Sequence, residues 1–152
     1  MSDTAADSDR PSVLVADDDP LFRTLSRAAL AGDYDVSVAA DGHAAVTMAL
    51  AAPPTAIVLD LSMPGWDGLR VLRAVRADQS LAQTGVLILT SDCDEATIEE
   101  LTEAGADGFI AKPDFAPDRL RDAVAKLQPT ADRGPQREIR RVVPVMAFEA
   151  PA

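Results

Sequence analysis

Five times between residues 12 and 127 a short aliphatic run is followed by a stretch of helical period. The runs are "SVLVA", "YDVSVAA", "TAIVLD", "GVLILT" and the strand within "DGFIAKP". Strict alternation of strand and helix is satisfied by a parallel sheet covered by helices on both faces. The third and fourth runs are apolar without a break, as strands buried on both faces must be. Right-handed crossovers leave few topologies, and the doubly wound order 2-1-3-4-5 is the natural one for five strands.

The intervening segments carry their own signals. In "DPLFRTLSRAALA", Asp19 is an N-cap and Pro20 the first helical residue, with Leu21, Leu25, Ala28 and Ala29 expected inward. "GHAAVTMALAA" is a short helix closed by Pro53-Pro54. "GLRVLRAVRAD" turns Leu69, Leu72 and Val75 inward, and "DEATIEELTEAGA" turns Ile98 and Leu101 inward. The last helix, "APDRLRDAVAKLQ", begins near Pro117 and buries Leu120, Val124 and Leu127. The 152 residues provide one domain with a full core, expected over 11–128 between a disordered 1–10 and a tail at 129–152. With 47% hydrophobic residues but only 4% aromatic, that core is aliphatic.

Charge excludes some functions. A net charge of −11 argues against direct nucleic-acid binding, which needs a basic footprint, and suits cations or basic partners. The single cysteine, Cys93, cannot form an internal disulfide and points to a reducing compartment. The N-terminal "MSDTAADSDR" is polar, and no apolar run approaches the ~20 residues of a membrane helix. A cytoplasmic protein without membrane insertion is the expectation.

In an open α/β sheet, ligands bind beyond the carboxyl ends of the strands, at the topological switch point between strands one and three. The first strand ends in Asp17 and Asp18, the third in Asp60, the fourth in Thr90 and Ser91, and the fifth in Lys112 before Pro113. Asp41-Gly42, after an edge strand, reads as a turn. Three carboxylates, a hydroxyl and an ammonium should therefore meet on one rim. Like charges repel, so a divalent cation is the simplest way to hold the carboxylates together. All-oxygen ligands suit Mg²⁺, with Mn²⁺ as the alternative, and isolated His43 and Cys93 supply no zinc set. In such a site Asp60 can act as a nucleophile toward a phosphoryl group, while the cation and Lys112 offset charge and Thr90 donates a hydrogen bond.

At these residues the chain resembles the receiver domains of bacterial two-component response regulators. The resemblance rests on "VLVADDDPLFRTLSRAAL", "IVLDLSMPGWDGLRVLR", "VLILTSD" and "GADGFIAKP", in that order, and covers about residues 11–128. It implies a flavodoxin-like fold with Asp60 as phosphoacceptor. It implies an acidic pair in Asp17 and Asp18, with Asp18, Asp60 and the backbone carbonyl of Ser62 on Mg²⁺. Thr90 and Lys112 would contact the phosphoryl group delivered by a histidine kinase or phosphotransfer protein. Thr90 and Phe109 would form the switch that remodels the face of helix four, strand five and helix five. Ser62 and Asp92 stand where relatives tune the lifetime of the phosphorylated state. Phe109 departs from the common pattern in lacking a phenolic hydroxyl.

Other features receive plainer readings. His43 is expected exposed and without a special role, Cys93 is a loop thiol, and Trp66 packs locally and reports on the site. The tail places Arg137, Arg140 and Arg141 before "VVPVMAF", where Pro144 interrupts any helix; it reads as a linker or a docking strip. A stand-alone phosphorylation switch, acting on a downstream protein and not on a separate substrate, is the leading function. The rivals are a Mg²⁺-dependent phosphatase of the haloacid dehalogenase type and a receiver-fold scaffold that is not phosphorylated. The phosphatase would need a second acid two residues after its nucleophile, where this chain has Ser62.

Overall fold

The computed structural model describes residues 10–91 and 94–127. The expectations for Asp92, Cys93, residues 1–9 and the segment from 128 onward lie outside the described residues. Strands β1 (Ser12–Ala16), β2 (Asp35–Ala39), β3 (Ala56–Leu59), β4 (Gly85–Thr90) and β5 (Gly108–Ala111) alternate with helices α1 (Pro20–Leu30), α2 (Gly42–Ala51), α3 (Gly68–Ala77), α4 (Glu95–Ala104) and α5 (Pro117–Ala125). The sheet is parallel, in the order β2-β1-β3-β4-β5. This is the doubly wound, flavodoxin-like architecture that the alternation predicts.

Every residue of β3 and β4 is buried, as their unbroken apolar runs require. Strand alternation sends Leu14, Ile57, Leu59, Val86, Ile88 and Phe109 to one face, packed with α2, α3 and α4. Val13, Val15, Val58, Leu87, Leu89 and Ile110 meet α1 and α5 on the other. Four aspartates start helices by accepting backbone N–H bonds: Asp19 from Leu21, Asp41 from Ala44, Asp67 from Arg70 and Asp94 from Thr97. Each such cap is worth about 1 kcal/mol, so part of the chain's acidity has a structural task.

One helix turns differently from its expected register. Leu21 is 57% exposed and Ala28 is also outside, whereas Ser26, Ala29 and Leu30 are buried and Phe22 packs against the core. Phe22, Ser26, Ala29 and Leu30 also follow helical spacing, and they place the larger ring rather than Leu21 on the sheet. Two short 3-10 turns, Gln79–Leu81 and Lys112–Asp114, were not legible from periodicity; the second means that Lys112 begins a turn just past β5. Leu127, expected on the last helix, lies beyond its end but is buried.

Candidate functional site

The parallel ladder fixes where the acidic side chains emerge. Backbone bonds run past the strand ends, from Asp17 N–H to the Ala39 carbonyl (3.1 Å) and from Asp60 N–H to the Ala16 carbonyl (2.9 Å). Asp17 and Asp60 therefore leave neighbouring strands at one level of the rim. Both are buried, at 2% and 4% exposure, while Asp18 is exposed. One carboxylate oxygen from each of Asp17, Asp18 and Asp60 falls within 4.8 Å of the others.

Lys112 enters this cluster from β5. Its Nζ lies 3.1 Å from Asp17 Oδ2 and 3.5 Å from Asp60 Oδ2, and donates to Asp17 Oδ1 at 3.2 Å. Asp17 Oδ1 also accepts from Asp19 N–H at 2.9 Å, and Arg23 donates to the Asp17 carbonyl at 2.8 Å. Ser62 N–H reaches Asp60 Oδ1 at 3.4 Å. Burial, then the neighbouring Asp17 charge, raise Asp60 from its ordinary 3.8 to about 6, against the opposing pull of Lys112 and the Ser62 N–H.

A hard divalent cation fits this set. The donors are oxygens, three carboxylates cluster beside one ammonium, and the buried Asp17 Oδ2 has no hydrogen bond among the described residues despite its ion-pair contact. Asp17, Asp18 and Asp60 would hold the ion. Asp19 stands apart as the α1 cap, and Asp41 as the α2 cap.

Thr90 ends β4, buried, and pairs in register with Ala111, the residue before Lys112. Phe109 pairs with Ile88, so period-2 alternation puts Thr90 and Phe109 on the same face of adjacent strands. Phe109 is 1% exposed, within the core cluster that also holds Leu101 of α4. Ser62 is exposed. His43 is exposed and meets Trp66 edge-on at 6.0 Å, while the Arg70 guanidinium lies 3.9 Å over the same indole.

Sequence reasoning missed several supports. Gly68 opens α3 directly against the segment that follows β3: a Cβ there would lie 2.5 Å from the Asp60 carbonyl oxygen and 2.7 Å from Leu61 Cα. Gly42 is similarly tight, with the Trp66 carbonyl oxygen 2.1 Å from where a Cβ would sit. Phe22 lies beneath the Lys112 ammonium, 4.5 Å from ring centroid to Nζ. The glycine following a capping aspartate was visible in both "DGL" and "DGH", but the surface that it approaches was not.

Comparison with known proteins agrees with this geometry. Residues 13–125 match the response regulator receiver domain family. The chain is 35% identical over 115 residues to the DNA-binding response regulator MtrA of Mycolicibacterium smegmatis, covering 75% of this chain and 49% of that protein. It is 33% identical over 120 residues to the sensor histidine kinase TmoS of Ectopseudomonas mendocina, covering 79% of this chain and 12% of the kinase. The chain thus spans about half, or far less, of the length of these curated relatives. Among solved structures it is similar to the chemotaxis protein CheY4 of Vibrio cholerae, with TM-score 0.73, 30% identity and coverage of 78% of this chain and 98% of that one. It is also similar to the receiver domain of the sensor histidine kinase PA1611 of Pseudomonas aeruginosa, which holds a magnesium ion in its active site cleft. That likeness has TM-score 0.71 and 28% identity, over 78% of this chain and 97% of that domain.

Proposed function

This chain belongs to the response regulator receiver family, and from that membership and the rim geometry we propose that it is a switch driven by phosphorylation of Asp60. The observation that carries the reading is the convergence of Asp17, Asp18, Asp60 and Lys112 at the switch point of the sheet. An Asp60 carboxylate oxygen attacks the phosphorus of a phosphohistidine on a histidine kinase or phosphotransfer protein. An O–P bond forms, the N–P bond breaks, and the imidazole leaves with the electron pair. The attacking form is the carboxylate, and with Asp60 raised only to about 6 it is ionised at neutral pH. Lys112 offsets the charge gathered on the phosphoryl oxygens, and Thr90 donates a hydrogen bond to one of them. Mg²⁺, held by Asp17, Asp18, Asp60 and the Ser62 carbonyl, supplies further charge neutralisation when bound.

Phosphorylation adds charge and acceptor oxygens at Asp60. Thr90 moves toward them, Phe109 follows on the same sheet face, and the surface of α4, β5 and α5 changes for a downstream protein. Ser62 and Asp92 tune the lifetime of the product. The receiver unit is 11–128, the protein modifies itself rather than turning over a separate substrate, and a cytoplasmic setting goes with a phosphohistidine donor. No helix among the described residues is long and apolar enough to cross a membrane. The phosphatase alternative has no support: Ser62 offers a backbone N–H to Asp60 where that chemistry needs a second acid.

The test is intact mass after incubation with Mg²⁺ and acetyl phosphate. Wild type should gain one phosphoryl group and Asp60→Asn none. If wild type gains no mass and Trp66 fluorescence does not respond to beryllofluoride, the switch reading fails in favour of a scaffold.

A further inference from the structure

The Lys112 ammonium has carboxylates on one side and an aromatic face on another. Its Nζ is 3.1 Å from Asp17, 3.5 Å from Asp60 and 4.5 Å from the Phe22 ring centroid. Phe22 is itself seated edge-on against Phe115, with centroids 5.5 Å apart and planes at 90°. Phe115 is tied to the lysine's own backbone, because its N–H donates to the Lys112 carbonyl at 3.0 Å and closes the 3-10 turn. Phe22 is fixed from the other direction: it lies in the first turn of α1, whose cap Asp19 donates its N–H to Asp17. The aromatic pair therefore joins the segment carrying the acidic pair to the segment carrying the lysine, 95 residues from Asp17 in sequence.

We infer that Phe22, supported by Phe115, is a positioning residue for phosphoryl transfer, presenting its ring face to the Lys112 ammonium so that the charge stands ready beside Asp60. The inference rests on the reading of Asp60 as phosphoryl acceptor. A lysine side chain has a flexible four-carbon stem, and holding its charge in one place costs rotamer entropy. A ring face attracts the cation without a directed bond. The ammonium can thus slide from the carboxylate oxygens toward phosphoryl oxygens while remaining over the ring, where a third carboxylate would hold it back. The ring also keeps water from one side of the ion, which strengthens its interaction with developing negative charge. An aliphatic residue at position 22 would fill space but would lack the electron-rich face.

Phosphorylation rates with acetyl phosphate and Mg²⁺, followed by intact mass across donor concentrations, test this in wild type, Phe22→Leu, Phe22→Tyr and Asp60→Asn. Phe22→Leu should slow the rate at saturating donor by about three- to twentyfold, the range of a partly desolvated cation–π contact. Its half-saturating donor concentration should change by less than about twofold, and Phe22→Tyr should restore the rate to within about twofold of wild type. In wild-type protein the Lys112 ε-methylene protons should show an upfield ring-current shift by NMR, a readout that does not depend on any variant folding. A wild-type rate in Phe22→Leu, a Phe22→Tyr variant as slow as Phe22→Leu, or an absent ring-current shift each overturns the inference while leaving the acceptor role intact. If wild type takes no phosphoryl group at all, the acceptor reading fails and this inference falls with it.

Discussion

Asp60 is costly to the metal-free fold, and the sign of that cost can be worked out. Its carboxyl titrates at about 6 in the folded protein against an ordinary value of 3.8. Well below 3.8 both states are protonated and the penalty is absent. As pH rises from below 3.8 through about 6 the unfolded chain ionises first, so native stability falls, and the loss levels off once the folded carboxyl is also ionised, above about 7. Asp60→Asn should therefore be more stable than wild type by about 2 kcal/mol at pH 7.5 in EDTA, with the gain shrinking as pH falls through about 6 and vanishing only well below 3.8. Urea unfolding followed by Trp66 fluorescence measures it, and equal midpoints at pH 7.5 would contradict the assignment. A second residue tests burial in the same way. Ser26 Oγ is buried on α1 without a hydrogen-bond partner among the described residues. Ser26→Ala should raise stability by about 1 kcal/mol, because an unsatisfied hydroxyl is removed and helix propensity improves. A lower midpoint would mean that the hydroxyl has a stabilising role.

Elements are where sequence reasoning succeeded most fully and where its limits have a clear physical cause. Parallel strands buried on both faces and helices of ordinary length write their pattern locally, in β3, β4 and the Asp19 cap, whereas the caps at Asp41, Asp67 and Asp94 emerged only with the structure. The carboxylate rim was legible for a related reason: a strand end and a switch point together give a position in space. The orientation of α1 was ambiguous because two apolar sets share its helical period. The seat of α3 was hidden because it depends on a contact between segments. Gly68 is in that contact, and Gly32 provides the control, since a Cβ there meets nothing within 4 Å among the described residues. Gly68→Ala should lose about 2 kcal/mol although alanine is the better helix former, because the methyl group meets backbone that cannot move aside. Gly32→Ala should change stability by less than about 0.5 kcal/mol. Thermal midpoints that move equally for both variants would remove Gly68 from its role in holding α3 against the segment that follows β3.

At the scale of the whole molecule, the two core layers fix a sheet whose rim concentrates negative charge on a chain of net charge −11. That concentration opposes folding, and in the proposed function the same groups supply cation affinity. A ligand that binds only the native state stabilises it by RT ln(1 + [L]/Kd), about 1.4 kcal/mol at tenfold excess over Kd. Mg²⁺ should therefore raise the urea midpoint of wild type beyond the effect of KCl at matched ionic strength, which screens the general repulsion alone. Asp18→Ala should retain the KCl response and lose most of the additional Mg²⁺ response, since it removes the exposed member of the cluster without opening the core. Binding also competes with the proton on Asp60. Affinity should be nearly flat above about pH 6.5 and weaken progressively below about 6, with proton release on binding greatest near and below that pKa. Titration of Trp66 fluorescence with Mg²⁺ from pH 5 to 8 reads both the affinity and its slope. A Mg²⁺ effect no larger than that of KCl, or one unchanged in Asp18→Ala, would separate the carboxylate rim from metal binding and leave Lys112 as its compensating charge.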